Sequence, residues 1–416
     1  MIAINTKKEA EKRHTALSDI KSVNNQILIG DTPIESIAHI VGKTPFYVYD
    51  KSRLKQRIES LRKHLPKQLK IHYAIKANPM PGLVHTVAPW VDGFDLASHH
   101  EMLTALSTDI PAQHISIAGP GKSDIELKAA IAAGVTINIE SLGEMQRVVS
   151  FANTLNTEAR TALRINPNFN VKGSGMVMGG APTQFGIDVD QLDAVVSTAS
   201  NAAKIIGIHI YSGSQNLNHD SLCATFDATF ELASTVIQQY GLKLKHFNMG
   251  GGLGIPYFLD DQPLNLEMIG KHLEGNIKRW KTQWSDTEVI MELGRYMVAE
   301  CGLYVCRVIE KKTSKGQTFL VTDGGLHHHL AATGNFGQVI RRNYPVSVAN
   351  RVESEHRESV SIVGPLCTPL DILGKKVNLP VADVGDYIAI HQSGAYGLTA
   401  SPNLFLSHPE PGEILI

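Results

Sequence analysis

A chain of 416 residues, 43% apolar and 19% charged, is long enough for two domains and apolar enough to bury a core, which excludes wholesale disorder. Its 39 Lys+Arg against 40 Asp+Glu leave a formal charge of -1, so the basic balance of a nucleic-acid binder is missing. No apolar run reaches the roughly 18 residues of a membrane span, and the opening MIAINTKKEAEKRH carries charge where a signal peptide needs an apolar stretch.

The cysteines, Cys223, Cys301, Cys306 and Cys367, show no C-x-x-C spacing. A reducing, cytoplasmic location is expected, with no membrane and no nucleic-acid partner.

In chain order, residues 1–45 read as an N-terminal arm. Its first part is polar and helix-permissive, and its ILIGD segment is expected to add a strand to a later β domain. From about residue 67, short β-rich runs alternate with longer helical patterns. The strand candidates are KIHYAI, GFDLA, HISIA, VTINI, ALRIN, IGIHIY, KHFNM and VIMEL, with helices such as SDIELKAAIAAG and DSLCATFDATFELASTVIQQYG between them. Eight such units over 46–295 predict an α/β fold, a closed parallel (β/α)8 barrel. After 296 the helices stop. LYVCRVIE, TFLVTD, SVSIVG, DYIAIHQ and EILI predict an antiparallel β-sandwich or β-barrel domain over 296–416.

Barrel chemistry sits at the C-terminal ends of the strands. Polar residues cluster there strand by strand: Lys76, Asp95, the Gly119–Lys122 turn, Glu140, Arg164 with Asn166, His209 with Tyr211, the triplet Gly250-Gly251-Gly252, and Glu292 with Arg295. AGPGKS is no P-loop, because the first glycine of that motif would fall on Ser116. GGGLGIPY is no dinucleotide fingerprint, because its last glycine would fall on Ile255. A glycine triplet can be a strained turn; after the seventh strand of a barrel it better fits backbone N–H groups approaching a phosphate, with Arg295 as the matching cation. A phosphorylated cofactor and a lysine at a strand end suggest pyridoxal phosphate. Lys76 follows an apolar strand, and burial is expected to lower its pKa and favour capture of an aldehyde.

YAIKANP, IESLGE, SGSQNL, NMGGGLGIPY, ELGRYMVAE, GPLCTPLD and SGAYG, in that order, resemble the fold-type III pyridoxal-phosphate decarboxylases, which include diaminopimelate and ornithine decarboxylases. The resemblance implies a barrel plus β domain, working as a homodimer with shared active sites. It implies that Lys76 carries the cofactor and that Gly250, Gly251, Gly252, Gly294 and Arg295 hold its phosphate with Ser214 and Tyr396. Glu292 pairs with the pyridine nitrogen, and Tyr211 stands where those enzymes stack a histidine on the ring. Arg164, Asp95 and Glu101 give support behind the lysine and ring. Cys367 comes from the partner subunit as the proton donor. Glu292 argues against a racemase of the same barrel type, which puts Arg at that nitrogen. Retention of Lys76 argues against a binding-only homologue.

The chain departs from the commonest members at Thr368, where an acid usually follows the cysteine and meets the substrate's distal ammonium. A buried ammonium without that partner is costly. GSGMVMGGAPTQFGID, DGGLHHHLAATGNFGQVIRRNYP and GPLCTPLD resemble instead the exosortase-associated decarboxylases and the glutamyl-acyl-carrier-protein decarboxylase of butirosin biosynthesis; PTQFGI and the SHPxP ending are shared with siderophore decarboxylases. The expected substrate is a small-molecule or carrier-protein-linked amino acid, with free diaminopimelate as the alternative. His328 and Arg341 are candidate substrate contacts. His327, His328 and His329, read as consecutive strand residues on alternating faces, are not expected to bind a metal.

Overall fold

The structure is a computed structural model that describes residues 14–18, 20–169, 176–177, 179–336, 338 and 340–416. The start of the expected arm, residues 173–175 and 178 of GSGMVMGGAPTQFGID, and residues 337 and 339 of the GNFGQVIRRNYP run lie outside the described residues.

Eight parallel strands close on themselves: β1 (Leu69–Ala74), β2 (Gly93–Leu96), β3 (Ile115–Ile117), β4 (Thr136–Ile139), β5 (Ala159–Asn166), β6 (Ala203–His209), β7 (His246–Asn248) and β8 (Glu288–Leu293). Each pairs with the next, and β8 pairs with β1 to complete the barrel. The sequence pattern follows from burial on both faces. β4 reads Thr-Ile-Asn-Ile and every one of its residues is buried. Burying Ile137 and Ile139 contributes about 2 kcal/mol each. The crossing helices start and stop where the chain supplies caps. Helix Asp124–Ala133 opens on a Ser123–Glu126 capping box and ends on Gly134 in the left-handed conformation.

The second domain contains β9 (Gly302–Ser314), β10 (Gln317–Thr322), β11 (Val346–Val348), β12 (Arg357–Val363), β13 (Ile372–Pro380), β14 (Tyr387–Ile390) and β15 (Gly412–Leu415). The sheet order is β11-β14-β9-β10-β12-β13. Most pairs are antiparallel, as expected, but β10 runs parallel to β12. The strand Phe46–Tyr49 pairs not with the barrel but with β9 and, in parallel, with β15.

The expected ILIGD strand forms instead within a small sheet of its own. Gln26–Ile29 pairs with Ser22–Val23 and Thr32–Pro33, and it docks on the β domain through Ile27 N–H to the Ala349 carbonyl at 2.8 Å. Ile27, Ile29, Ile34 and Ile37 pack there against Phe46, Val48, Leu303 and Val305. The arm is therefore held by its apolar face rather than by extending a ladder.

The segment after β14 returns to the barrel mouth. Tyr396 N–H bonds the Ala77 carbonyl at 2.8 Å, and the Asn78 and Gln392 amides reach the carbonyls of Gly394 and Pro256 at 3.0 and 2.9 Å. These bonds set the roof of the site described next.

Candidate active site

A cavity of about 210 Å3 opens where the barrel strands end, between the barrel and the Tyr396 segment. Lys76 sits in the single 3-10 turn Ile75–Ala77 that follows β1. Its side chain is 42% exposed, and its Nζ lies 4.0 Å from Glu292 Oε1 and 5.6 Å from the centre of the Tyr211 ring. The sequence led us to expect a lowered lysine pKa. Burial does pull that way, but the Glu292 carboxylate outweighs it and the pKa is raised. The amine is therefore held as an ammonium beside that carboxylate.

Glu292, on β8, is buried at 6% exposure. Burial favours its neutral form, yet His209 Nε2 at 3.1 Å, the Lys76 ammonium and the Arg164 guanidinium together hold its pKa below the usual glutamate value. The cavity thus has an ionised carboxylate at its base.

The glycine turn is bound to the same carboxylate strand. Gly250 accepts the Glu292 N–H at 2.9 Å. A Cβ on Gly251 would come within 2.0 Å of the Glu292 carbonyl oxygen, and Gly252 has φ +94°. Only glycine lets the chain pass this close and turn this way. Gly252, Gly294 and Ser214 line the cavity, and Arg295 enters from the short helix after β8. The Arg295 guanidinium stacks 4.6 Å from the centre of the Tyr396 ring and donates to the Tyr257 hydroxyl at 3.1 Å. Its Nε is buried with no hydrogen-bond partner. Lys76, Tyr211, Ser214, Gly252, Glu292, Gly294, Arg295 and Tyr396 are therefore brought together, with Gly250 and Gly251 directly behind them.

The other expected residues do not line the cavity. Asp95 is in the barrel interior below the cavity, where it accepts the Ser116 hydroxyl at 2.5 Å and lies 3.4 Å from His72. Arg164 pairs with Glu140 at 2.8 Å and stacks over Phe185. Glu101 caps back onto the Ala97 N–H at 2.7 Å. Cys367 is exposed, and neither it nor Thr368 lines the cavity of its own chain. Arg341 donates to the Ile372 carbonyl at 2.7 Å, away from the cavity. His328 is 1% exposed, bonded to the Pro409 carbonyl at 2.9 Å and to Tyr304 at 3.2 Å. The three histidines form a turn, not a strand, so the alternation argument does not apply to them. Among the described residues no group of three or more His, Cys, Asp or Glu is arranged to hold a metal. Lys122 of AGPGKS is buried against Glu144 at 3.0 Å, a structural pair.

Three residues that sequence reasoning passed over shape the site. Asn248 accepts the Gly250 N–H at 2.9 Å and reaches Glu292 at 3.5 Å and Asp95 at 3.4 Å, so one side chain joins the glycine turn to the carboxylate. Gln215 clamps the Ile255 backbone through both ends of its amide, at 2.6 and 3.1 Å. Asp371 accepts the N–H of Leu326 at 2.6 Å and of Leu366 at 2.9 Å, which holds the Cys367 loop. Each was visible only as the flank of a motif, next to GGG, after SGS, or closing GPLCTPLD.

Residues 51–299 match the family described as "Pyridoxal-dependent decarboxylase, pyridoxal binding domain". The chain belongs to that family. It is 38% identical to an L-glutamyl-(BtrI acyl-carrier protein) decarboxylase of Niallia circulans over 90% of this chain and 89% of that one. It is 31% identical to a 2-((L-alanin-3-ylcarbamoyl)methyl)-2-hydroxybutanedioate decarboxylase of Staphylococcus aureus over 88% and 92%. Its structure superposes on Helicobacter pylori diaminopimelate decarboxylase complexed with L-lysine with a TM-score of 0.81, at 27% identity over 92% of this chain and 94% of that one. It is a fold-type III pyridoxal-phosphate-dependent decarboxylase, a carboxy-lyase acting on an amino-acid substrate.

The cavity of this decarboxylase fits the cofactor on its own evidence. The orphaned Arg295 Nε and the glycine turn suit a phosphate, the ionised Glu292 suits a protonated ring nitrogen, and Lys76 stands 4.0 Å from that carboxylate. No helix among the described residues is long and apolar enough to cross a membrane.

Proposed function

We propose that this decarboxylase removes the α-carboxylate of an amino acid already conjugated to a larger group, either a carrier-protein thioester or a siderophore-type intermediate. The observation that carries this reading is the composition of the Cys367 loop. Thr368 stands where the relatives of diaminopimelate type place an acid, and the loop's own carboxylate, Asp371, is 3% exposed with both oxygens taken by backbone N–H groups. The loop offers no charge for a distal ammonium. The Niallia relative, which by its name acts on a glutamyl group held on a carrier protein, supports the same reading.

The residue roles follow from the site. Pyridoxal phosphate protonated at its ring nitrogen supplies a sink for the electron pair left when CO2 departs. The ionised Glu292 would pair with the protonated ring nitrogen and keep it charged. Arg295 and the glycine turn would hold the phosphate, and the Lys76 amine would be the group that holds the cofactor's aldehyde. The Tyr211 side chain limits where the ring lies. Cys367 Sγ returns a proton to Cα. The reading includes a homodimer with shared sites in which a second copy of the chain supplies Cys367; its exposure outside the cavity of its own chain supports this.

CO2 release by the cofactor-loaded enzyme tests the substrate class. Turnover of a glutamyl-carrier protein, with no turnover of free diaminopimelate, lysine, ornithine or glutamate, is expected. Efficient turnover of free diaminopimelate would give Thr368 a substitute partner and overturn the conjugate reading.

A further inference from the structure

The barrel has a second cavity at its opposite mouth, where the strands begin, enclosing about 250 Å3. The wall is basic. Arg160 comes from the start of β5, Lys245 and His246 from the start of β7, and His72 and His114 from β1 and the turn before β3. This face of a βα barrel usually serves stability, and buried polar groups favour stability only when they are paired. Here Asp95 and Glu288 have partners, whereas Arg160 Nε is buried without one and Lys245 reaches solvent. Asp95 accepts from Ser116 at 2.5 Å with His72 3.4 Å away, and Glu288 lies 3.7 Å from Lys70. Among the described residues no carboxylate lies within ion-pair distance of Arg160, Lys245 or His246, and Arg160 Nε is buried with no hydrogen-bond partner.

The backbone is cut away to seat the imidazoles. A Cβ on Gly93 would come within 2.5 Å of His72 Nε2, and a Cβ on Gly207 within 2.2 Å of His246 Nε2. Two strands thus carry glycine where the Nε2 edge of a ring packs against them, and any larger residue would push that ring out of place.

We propose that this cavity binds a small oxyanion of the phosphate or sulfate class, held by Arg160, Lys245 and His246. Such an occupant supplies an acceptor for the buried Arg160 Nε, with the Lys245 ammonium and a neutral His246 N–H as further donors. The same crowding is felt by His246: burial, then His72, Arg160, His209 and His114, push its pKa down to about 3, and an anion in the cavity offsets those charges. The site is separate from the reaction centre. Asn248 and Asp95 stand between the two, 3.4 Å apart, with Asn248 3.5 Å from Glu292.

Selenate is a suitable probe, being an oxyanion with an anomalous scattering signal. The cofactor-loaded enzyme, with its phosphate subsite already filled, is crystallised with selenate, and the same protein is titrated calorimetrically with selenate against chloride. A selenium peak within hydrogen-bond reach of Arg160 and His246 is expected, together with saturable binding in solution. R160Q should weaken that binding about tenfold or more and leave the cofactor's absorbance in place. Absence of a peak from this cavity overturns the proposal. So do a peak in the crystal without binding in solution, and a selenate affinity unchanged by R160Q. If R160Q fails to fold, H246Q and the wild-type crystal decide by the same criteria.

Discussion

At the scale of single residues the site rests on one carboxylate. Glu292 is kept ionised against its own burial by His209 and Lys76. Its folded pKa lies below the ordinary value of 4.5, so its charge and its contribution to the folded state are complete above about that pH and fade as pH falls through the folded value. E292Q keeps the shape and removes the charge. We expect kcat to fall by about 10^2 to 10^3 with the cofactor still bound, checked by CO2 release and the visible absorbance; an unchanged kcat would take Glu292 out of the mechanism. Gly251 gives a second test at this scale. In G251A the new Cβ must displace the Glu292 carbonyl oxygen, 2.0 Å away, so both the turn and the carboxylate strand move. The expected result is a rise in the Kd for pyridoxal phosphate of about a hundredfold, measured by equilibrium titration of the apoenzyme.

Among the elements, the helix Lys51–His64 shows how a local signal ties distant parts together. Asp50 caps Lys51–His64 by accepting the N–H groups of Ser52 and Arg53 at 2.8 and 3.1 Å, and its other oxygen accepts Gly30 N–H at 3.0 Å from the N-terminal arm. Burial opposes its charge, but these bonds outweigh burial and lower its pKa from 3.8. D50A should cost about 2 kcal/mol at pH 7. A lowered folded pKa means that the ionised part of this stabilisation is present above 3.8 and is lost as pH falls further. The gap in thermal midpoint between D50A and wild type should therefore narrow from pH 7 to pH 3; a constant gap would assign the cost to packing alone.

The same scale shows which elements the sequence made legible. All eight barrel strands were readable because each is a short apolar run buried on both faces between capped helices. β11 and β13 were not. β11 has three residues, and β13 carries Gly374, two lysines and a terminal proline that mask its alternation. The Phe46–Tyr49 strand looked like any buried strand, and its partners, β9 and β15, lie more than 250 residues away in the chain. The site divides in the same way. Lys76, Glu292, Arg295 and the glycines were legible because their chemistry requires those residue types at strand ends. Asn248, Gln215 and Asp371 act through backbone contacts made only after folding, and Arg341 and His328 turn out to serve internal hydrogen bonds.

For the whole molecule, the cavity joins the two domains, and the proposed proton donor, Cys367, does not line it. The Tyr396 segment of the β domain covers the barrel mouth, whereas the loop carrying Cys367 points its thiol to solvent. In the proposed two-fold dimer each loop would meet the other subunit in the same way, so every site would combine Lys76 of one chain with Cys367 of the other. That arrangement can be tested without a structure of the dimer. K76A should be inactive for want of its lysine, and C367A should be slow for want of its donor. When the two variants are mixed, dissociated and reassembled in equal amounts, half of the dimers are hybrids. In each hybrid one site carries both substitutions and the other carries neither. Activity should therefore recover to about a quarter of wild type, well above the C367A background, and it should appear only as fast as subunits exchange. If Cys367 instead served its own chain, each hybrid site would carry one substitution, and mixing would restore nothing.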